Sequence, residues 1–191
     1  MTNAWHTPDG ALQLLIEGNT RFASGHPHHP RQDAAARATL LNGQTPHTCV
    51  ISCADSRVPP EILFDQGFGD MFVVRNGGHI PTDVVIASAE FAHVVAKCSL
   101  IVVLGHEGCK ALEFARAIRA GEDVDLPGST SVLTNGVIAD LVNDDGSLFP
   151  TVSRIVDRLR GSQVITKAEK AGKIRVLGAG YHLHSGLVEW L

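Results

Sequence analysis

The sequence lacks the features by which several classes of protein are first recognised. Its 191 residues carry a net charge of only −4 and no basic stripe, so a nucleic acid is not expected as a partner. Its longest apolar runs are far too short to cross a bilayer, so no membrane partner is expected either. The first ten residues hold neither a basic start nor an apolar h-region, so no secretory signal is recognised. The expected location is therefore cytoplasmic.

The chain also lacks the dense cysteine pattern of a disulfide framework. It has four cysteines, Cys49, Cys53, Cys98 and Cys109. Disulfide frameworks are typical of short secreted chains, and this chain is neither short nor visibly secreted. Cys49 and Cys98 lie in or beside apolar stretches, which predicts small buried hydrophobic side chains. Metal-binding or catalytic use is favoured for the others.

What the chain does have, from residue 48 onward, is an alternation of short apolar strands and helices. Strands are predicted at 48–52, 71–74, 100–104 and 174–177, with an edge element at 186–190. Helices are predicted at 59–64, 82–97, 108–119 and 151–171, and mostly loops at 121–136 and 143–150. The alternation predicts one α/β domain over residues 1–191, with a mainly parallel central sheet flanked by helices.

Residues 1–45 are predicted to form an N-terminal helical arm. Thr7 suits a helix N-cap, Pro8 suits the first helical position, and Gly25 is a plausible end. Residues 26–34 carry two prolines and three histidines, which favours an extended segment over a weak metal-binding tract. Such an arm has little core of its own, and we expect it to pack on a neighbouring subunit.

Two short motifs carry the candidate chemistry. The string CADSR at 53–57 follows one apolar strand, and the string HEGC at 106–109 follows another. Ligands of open α/β sheets bind beyond the carboxyl ends of the strands, so the two motifs meet if these strands are neighbours. Spacing by two predicts an extended backbone that turns Cys53, Asp55 and Arg57 to one side. Spacing by three predicts His106 and Cys109 on the first turn of a helix.

Together the motifs offer the ligands of a zinc site. Two thiolates, Cys53 and Cys109, with the imidazole of His106 form an established zinc shell, and three protein ligands leave a fourth position open, as catalytic zinc requires. Asp55 could fill that position or stand beside it. The alternatives are a closed structural zinc site with Asp55 as the fourth ligand, or plain buried thiols.

At these residues the chain resembles the beta-class carbonic anhydrases. Further segments are similar to that family, at 18–22, 69–76, 178–181 and 185–188, whereas residues 120–150 lack a clear counterpart. The resemblance implies Zn²⁺ on Cys53, His106 and Cys109, with Asp55 and Arg57 as a catalytic dyad. It also implies a homodimer or a larger homo-oligomer.

The resemblance further implies four residues that face the substrate. Gln44 stands where the family has a glutamine that points to substrate, commonly across the dimer interface. Phe72 and Phe91 stand where the family builds an apolar wall for carbon dioxide. Lys110 replaces a glycine whose backbone N–H faces substrate. For Gln44 the alternative is a loop amide bonded to backbone, and for the two phenylalanines it is plain core packing.

The implied activity is the zinc-dependent, reversible hydration of carbon dioxide to bicarbonate, in which the metal generates the nucleophile. In that reading Asp55 accepts a hydrogen bond from the nucleophile, and Arg57 holds Asp55 off the metal through a bidentate pair. Two alternatives remain open from sequence. One is a hydrolase of carbon disulfide or carbonyl sulfide, and the other is a non-catalytic zinc- or bicarbonate-binding module in which Lys110 blocks the pocket.

Overall fold

A five-stranded sheet in the order β2-β1-β3-β4-β5 forms the centre of the fold, as seen in a computed structural model that describes residues 4–141, 144, 147 and 149–191. The strands are β1 (Thr48–Cys53), β2 (Met71–Asn76), β3 (Leu100–His106), β4 (Arg175–Tyr181) and β5 (Val188–Trp190). The first four strands pair in parallel, and β5 is an antiparallel edge strand. The predicted α/β fold with a mainly parallel sheet is therefore confirmed.

Helices cover both faces of this sheet. They are α1 (Pro8–Ala23), α2 (Ala34–Thr39), α3 (Pro60–Leu63), α4 (Asp83–Val94), α5 (Lys110–Arg119), α6 (Ser131–Asp140), α7 (Val152–Arg160) and α8 (Gln163–Lys170). One hydrophobic layer joins the sheet to α1, α3, α5 and α6, and the other joins it to α4, α7 and α8. Short 3₁₀ segments occupy Ala4–His6, Gly77–His79 and Gly128–Thr130.

The two central strands owe their position to their composition. Every residue of β1 and of β3 is buried, as expected for parallel strands that are covered on both faces. Val50 and Val102 point into the α1 layer, whereas Ile51 and Ile101 point into the α4 layer. Cys49 and Cys98 are 0% and 1% exposed in the α4 layer, which confirms their prediction as buried apolar side chains.

Helix α1 begins where the sequence predicts and packs on its own chain. The Thr7 hydroxyl caps it by accepting from the Gly10 N–H at 3.1 Å, and Pro8 is its first residue. The helix ends at Ala23, and Gly25 follows with a positive φ of 77°. Helix α2, in contrast, buries none of its residues. The packing of the arm on a neighbouring subunit stays a prediction.

Two helix assignments made from the sequence are wrong. The predicted loop at 121–136 contains the start of α6. Gly136 of this helix packs closely against the Ile80 side chain, and this tertiary contact offsets the poor helix propensity of glycine. The single helix predicted at 151–171 is two helices, because Ser162 adopts an extended backbone and its hydroxyl caps the Ile165 N–H of α8. Part of the predicted loop at 143–150 lies outside the described residues.

Candidate metal centre

The two sequence motifs meet because β1 and β3 are adjacent parallel strands. Ser52 lies opposite Leu104 in the register, so Cys53 at the end of β1 and His106 at the end of β3 emerge at the same edge of the sheet. Cys109 follows three residues later as the N-cap of α5. The donor atoms of Cys53, His106 and Cys109 all lie within 4.8 Å of one another, and all three residues are buried. The sequence predicted this cluster.

The local backbone differs from the prediction in both motifs. His106 is the last residue of β3 and Cys109 caps α5, so the pair spans a strand-to-helix turn rather than the first turn of a helix. Gly108 makes this turn with a positive φ of 62°, a conformation that favours glycine. After Cys53 the chain forms a tight turn, closed by the Val58 N–H on the Asp55 carbonyl at 3.1 Å, rather than an extended segment.

The two thiols of the cluster shift each other's pKa in opposite directions. The Cys109 thiol donates a hydrogen bond to Cys53, which is the main reason why the pKa of Cys53 lies well below its ordinary value. The same hydrogen bond raises the pKa of Cys109, which keeps the proton. The Gly78 N–H also donates to the Cys53 sulfur at 3.4 Å. The lowered pKa of Cys53 favours its thiolate, which is the form that binds metal.

His106 is oriented as a metal ligand by its own turn. Its Nδ1 lies 2.8 Å from the carbonyl oxygen of Glu107, which requires the proton on Nδ1 and leaves the lone pair on Nε2. Among the described residues, Nε2 is buried and has no hydrogen-bond partner. A buried polar atom of this kind needs a partner, and a cation between the two sulfurs would supply it. Two sulfurs and one imidazole nitrogen are a donor set that suits zinc.

Asp55 is held beside the cluster by Arg57. The guanidinium donates from Nε to Oδ1 at 2.9 Å and from Nη2 to Oδ2 at 2.7 Å, and the Arg57 backbone N–H also donates to Oδ1 at 2.9 Å. These contacts, first among them the side-chain pair, lower the pKa of Asp55 to about 2. Arg57 Nη2 also donates to the Gly108 carbonyl at 2.9 Å, so one guanidinium joins both motifs. Asp55 is thus paired with Arg57, and the three-ligand cluster does not include it.

Sequence reasoning missed a second guanidinium that fixes the first motif. Arg75 lies on β2 opposite Ser52 and donates to the Cys53 carbonyl at 2.9 Å and to the Asp55 carbonyl at 2.6 Å. These two hydrogen bonds fix the backbone around Cys53, the first metal ligand. The sequence shows an arginine near the end of an apolar strand. The carbonyl groups that it binds become evident only once β1 is known to pair with β2.

A cavity of about 470 Å³ opens beside Cys53, Asp55 and Cys109. The rest of its lining is mainly apolar and includes Ala111, Phe114, Leu126, Pro127 and Leu133. These residues come from α5, from α6 and from the segment that joins them. The cavity lining therefore combines two thiols and the Asp55 carboxylate with apolar side chains.

The four predicted substrate-binding residues lie in different places. Lys110 lines the cavity, but its side chain is 72% exposed and its ammonium pairs with Glu113. Gln44 lies exposed before β1. The rings of Phe72 and Phe91 lie 6.0 Å apart on the α4 side, and half of Phe91 is exposed. The described lining of the cavity in this single chain does not include Gln44, Phe72 or Phe91, and their roles stay predictions.

Comparison with known proteins places this site in a family. A family model described as carbonic anhydrase matches residues 48–188. The carbonic anhydrase of Mycolicibacterium smegmatis is 39% identical over 192 residues, which cover 95% of this chain and 92% of the relative. The solved beta-carbonic anhydrase CcaA is similar with a TM-score of 0.71 and 25% identity, covering 94% of both chains. A Coccomyxa beta-carbonic anhydrase, solved in complex with acetazolamide, has a TM-score of 0.67 and 26% identity and covers 94% of this chain and 86% of its own.

The chain belongs to the beta-class carbonic anhydrase family. The cofactor of this class is zinc, and the orphaned Nε2 of His106 between two buried thiols fits that ion. No helix over the described part of the chain is long and apolar enough to cross a membrane.

Proposed function

We propose that this protein catalyses the zinc-dependent, reversible hydration of carbon dioxide to bicarbonate. The observation that carries the proposal is the buried Cys53, His106 and Cys109 cluster beside an Asp55–Arg57 pair, in a chain of the carbonic anhydrase family. Zinc held by these three residues would supply Lewis acidity, which lowers the pKa of a water molecule toward neutrality.

The role proposed for Asp55 is to orient the attacking oxygen. A carboxylate has about four lone-pair positions, and the contacts with Arg57 leave part of this capacity for a further hydrogen bond. Its lowered pKa keeps Asp55 ionised, so it acts as an acceptor and not as an acid near neutral pH. Arg57 keeps the carboxylate turned toward itself and away from direct contact with the metal.

The cavity suits carbon dioxide as a substrate. Carbon dioxide is small, linear and without net charge, and the wall of Phe114, Leu126 and Leu133 offers it apolar contact close to the cluster. Lys110 does not close this cavity, because its ammonium pairs with Glu113 at the surface. A non-catalytic module blocked by Lys110 is therefore not favoured. The sulfur-substrate hydrolase is not favoured either, since the relatives compared above are carbonic anhydrases.

We also infer a homodimer or larger homo-oligomer. Helix α4 and the residues after it expose a row of large apolar side chains, Val84, Phe91, Val94 and Val95, each at least half exposed. Contiguous apolar surface of this kind is typical of protein interfaces. A neighbouring copy on this face would contact Phe91, whose ring lies 6.0 Å from that of Phe72. The resemblance implies in addition that Gln44 points to substrate across a dimer interface. A cytoplasmic location stays a prediction from the sequence.

Replacement of a ligand tests the proposal directly. Cys109→Ala removes one sulfur from the cluster, so we expect the variant to lose zinc on dialysis and to hydrate carbon dioxide no faster than buffer. The matched control is Cys98→Ala, which removes another buried sulfur from the α4 layer, far from the cavity lining. Zinc content by mass spectrometry and stopped-flow hydration rates check both variants. Full zinc and full activity in Cys109→Ala would contradict the proposal.

A further inference from the structure

We propose that Leu133 on α6 is a specificity-determining residue that limits the size of the ligands reaching the metal cluster. This inference rests on the proposed function, because it concerns the same cavity. It assigns a role to the segment 125–134, which the resemblance leaves without a counterpart.

The segment 125–134 forms the roof of the cavity. Leu126 and Pro127 precede the short 3₁₀ turn, and Leu133 and Thr134 belong to the first turn of α6. All four line the same cavity as Cys53 and Cys109, and we call this part of the lining the roof. The roof is therefore built by a different part of the chain from the metal site, and its side chains can change without a change of ligand.

Leu133 is the roof residue that contacts the wall beside the metal cluster. The space at Gly77 is filled by Leu133, since a Cβ built there would lie only 2.8 Å from Leu133 Cδ1. The next residue, Gly78, is covered in the same way by Val137 of α6 at 2.6 Å. Gly78 is also the residue whose N–H donates to the Cys53 sulfur. Leu133 thus packs on Gly77, the residue that directly precedes the hydrogen-bond donor to a metal ligand.

The position of Leu133 allows its size to be changed. It is 39% exposed, so a change of volume is not confined in a sealed core. Its neighbour Val132 is 65% exposed on the same helix and does not line the cavity, which makes it a matched control. Truncation of Leu133 removes three carbon atoms from the roof, and enlargement to phenylalanine adds to it.

Two ligands of the same chemistry and different size test the proposal. Methanesulfonamide and benzenesulfonamide both present an ionisable nitrogen to a metal, and they differ in the bulk behind it. We would measure their dissociation constants on cobalt-substituted protein from the visible absorption of the metal, with no assay of turnover. Leu133→Ala should lower the dissociation constant of benzenesulfonamide relative to that of methanesulfonamide by at least about tenfold. This is the scale of one or two methylene groups in an apolar pocket. Leu133→Phe should shift the ratio the other way, and Val132→Ala should leave it unchanged.

The outcomes separate this inference from the proposed function. If the cobalt absorption and the hydration activity are intact but neither Leu133 variant changes the ratio beyond Val132→Ala, the role of Leu133 is wrong and the function stands. If the wild-type protein takes up no cobalt at the cluster, the proposed function fails and the inference fails with it. If Leu133→Ala does not fold, Leu133→Phe decides alone, and an unchanged ratio in that variant overturns the proposal.

Discussion

At the scale of single residues, the state of each donor atom is fixed by one neighbour. The Glu107 carbonyl fixes the tautomer of His106, and the Cys109 side chain lowers the pKa of Cys53. Arg57 does the same for Asp55, whose two oxygens it contacts at 2.9 and 2.7 Å. Because these contacts are local, the charges of the site are set before any substrate enters.

The role proposed for Asp55 predicts a loss of rate without a loss of metal. In Asp55→Asn, one acceptor oxygen becomes a donor nitrogen, so the side chain can no longer pair with Arg57 and orient the attacking oxygen at the same time. We expect the hydration rate to fall roughly a hundredfold, as for the loss of a group that handles a proton. Zinc content should be unchanged. Stopped-flow rates at high pH check this, with the exposed Asp83→Asn as control, and an unchanged rate would remove Asp55 from the chemistry.

The residues of the site differ in how far the sequence reveals them. Cys53, His106 and Cys109 could be predicted because two motifs, each after an apolar strand, together supply the donor set of a zinc site. Arg75 could not, since its targets are backbone carbonyls on another strand. Leu133 could not be predicted either, because an apolar residue type does not indicate a functional role. Its role follows only from its position in the cavity lining.

At the scale of elements, the strands were predictable and the irregular helices were not. Unbroken apolar runs define β1 and β3, and their adjacency alone brings the two motifs together. Helix α6 contains Thr134, Asn135 and Gly136, which are poor helix formers, and it is held by packing of Gly136 on Ile80. Local propensity cannot predict an element whose stability comes from a distant partner.

Asp65, in the segment between α3 and β2, binds the N-terminal arm and predicts a pH dependence of stability. Its carboxylate accepts from Arg21 Nε at 2.6 Å and from the N–H groups of His28 and His29 at 2.9 Å each. Burial raises the pKa of Asp65, but these hydrogen bonds lower it by more, so the net pKa lies below the ordinary 3.8. The stabilisation is therefore complete above the unfolded pKa, near 3.8, and is lost as the pH falls through the folded pKa.

We expect Asp65→Asn to destabilise the protein by about 2–3 kcal/mol at pH 7, since it replaces a buried charged acceptor. The difference from wild type should shrink as the pH falls below the ordinary pKa of Asp65. Urea unfolding at pH 7 and at pH 3 measures both free energies of unfolding, with the exposed Asp123→Asn as control. A difference that is the same at both pH values would show that the charge of Asp65 is not the source of its contribution.

At the scale of the whole molecule, the exposed face of α4 predicts an assembly. Val84 is 75% exposed at the start of this helix. Val84→Asp should place a charge in the inferred interface and shift the protein toward monomer, because an unpaired charge in a buried interface is costly. Light scattering after gel filtration measures the mass. Leu187→Asp, at a similarly exposed position near β5, is the control, and an unchanged mass in Val84→Asp would exclude this face.

The guanidinium groups of Arg57 and Arg75 affect the free energy of metal binding. Arg75 grips the carbonyls on either side of Ala54, and Arg57 reaches across to the loop that follows β3. These hydrogen bonds within the chain fix the two loops that carry the metal ligands. The loops are therefore ordered when the chain folds. The metal site is therefore preorganised, and little of the free energy of ion binding is spent on ordering the protein around the ion.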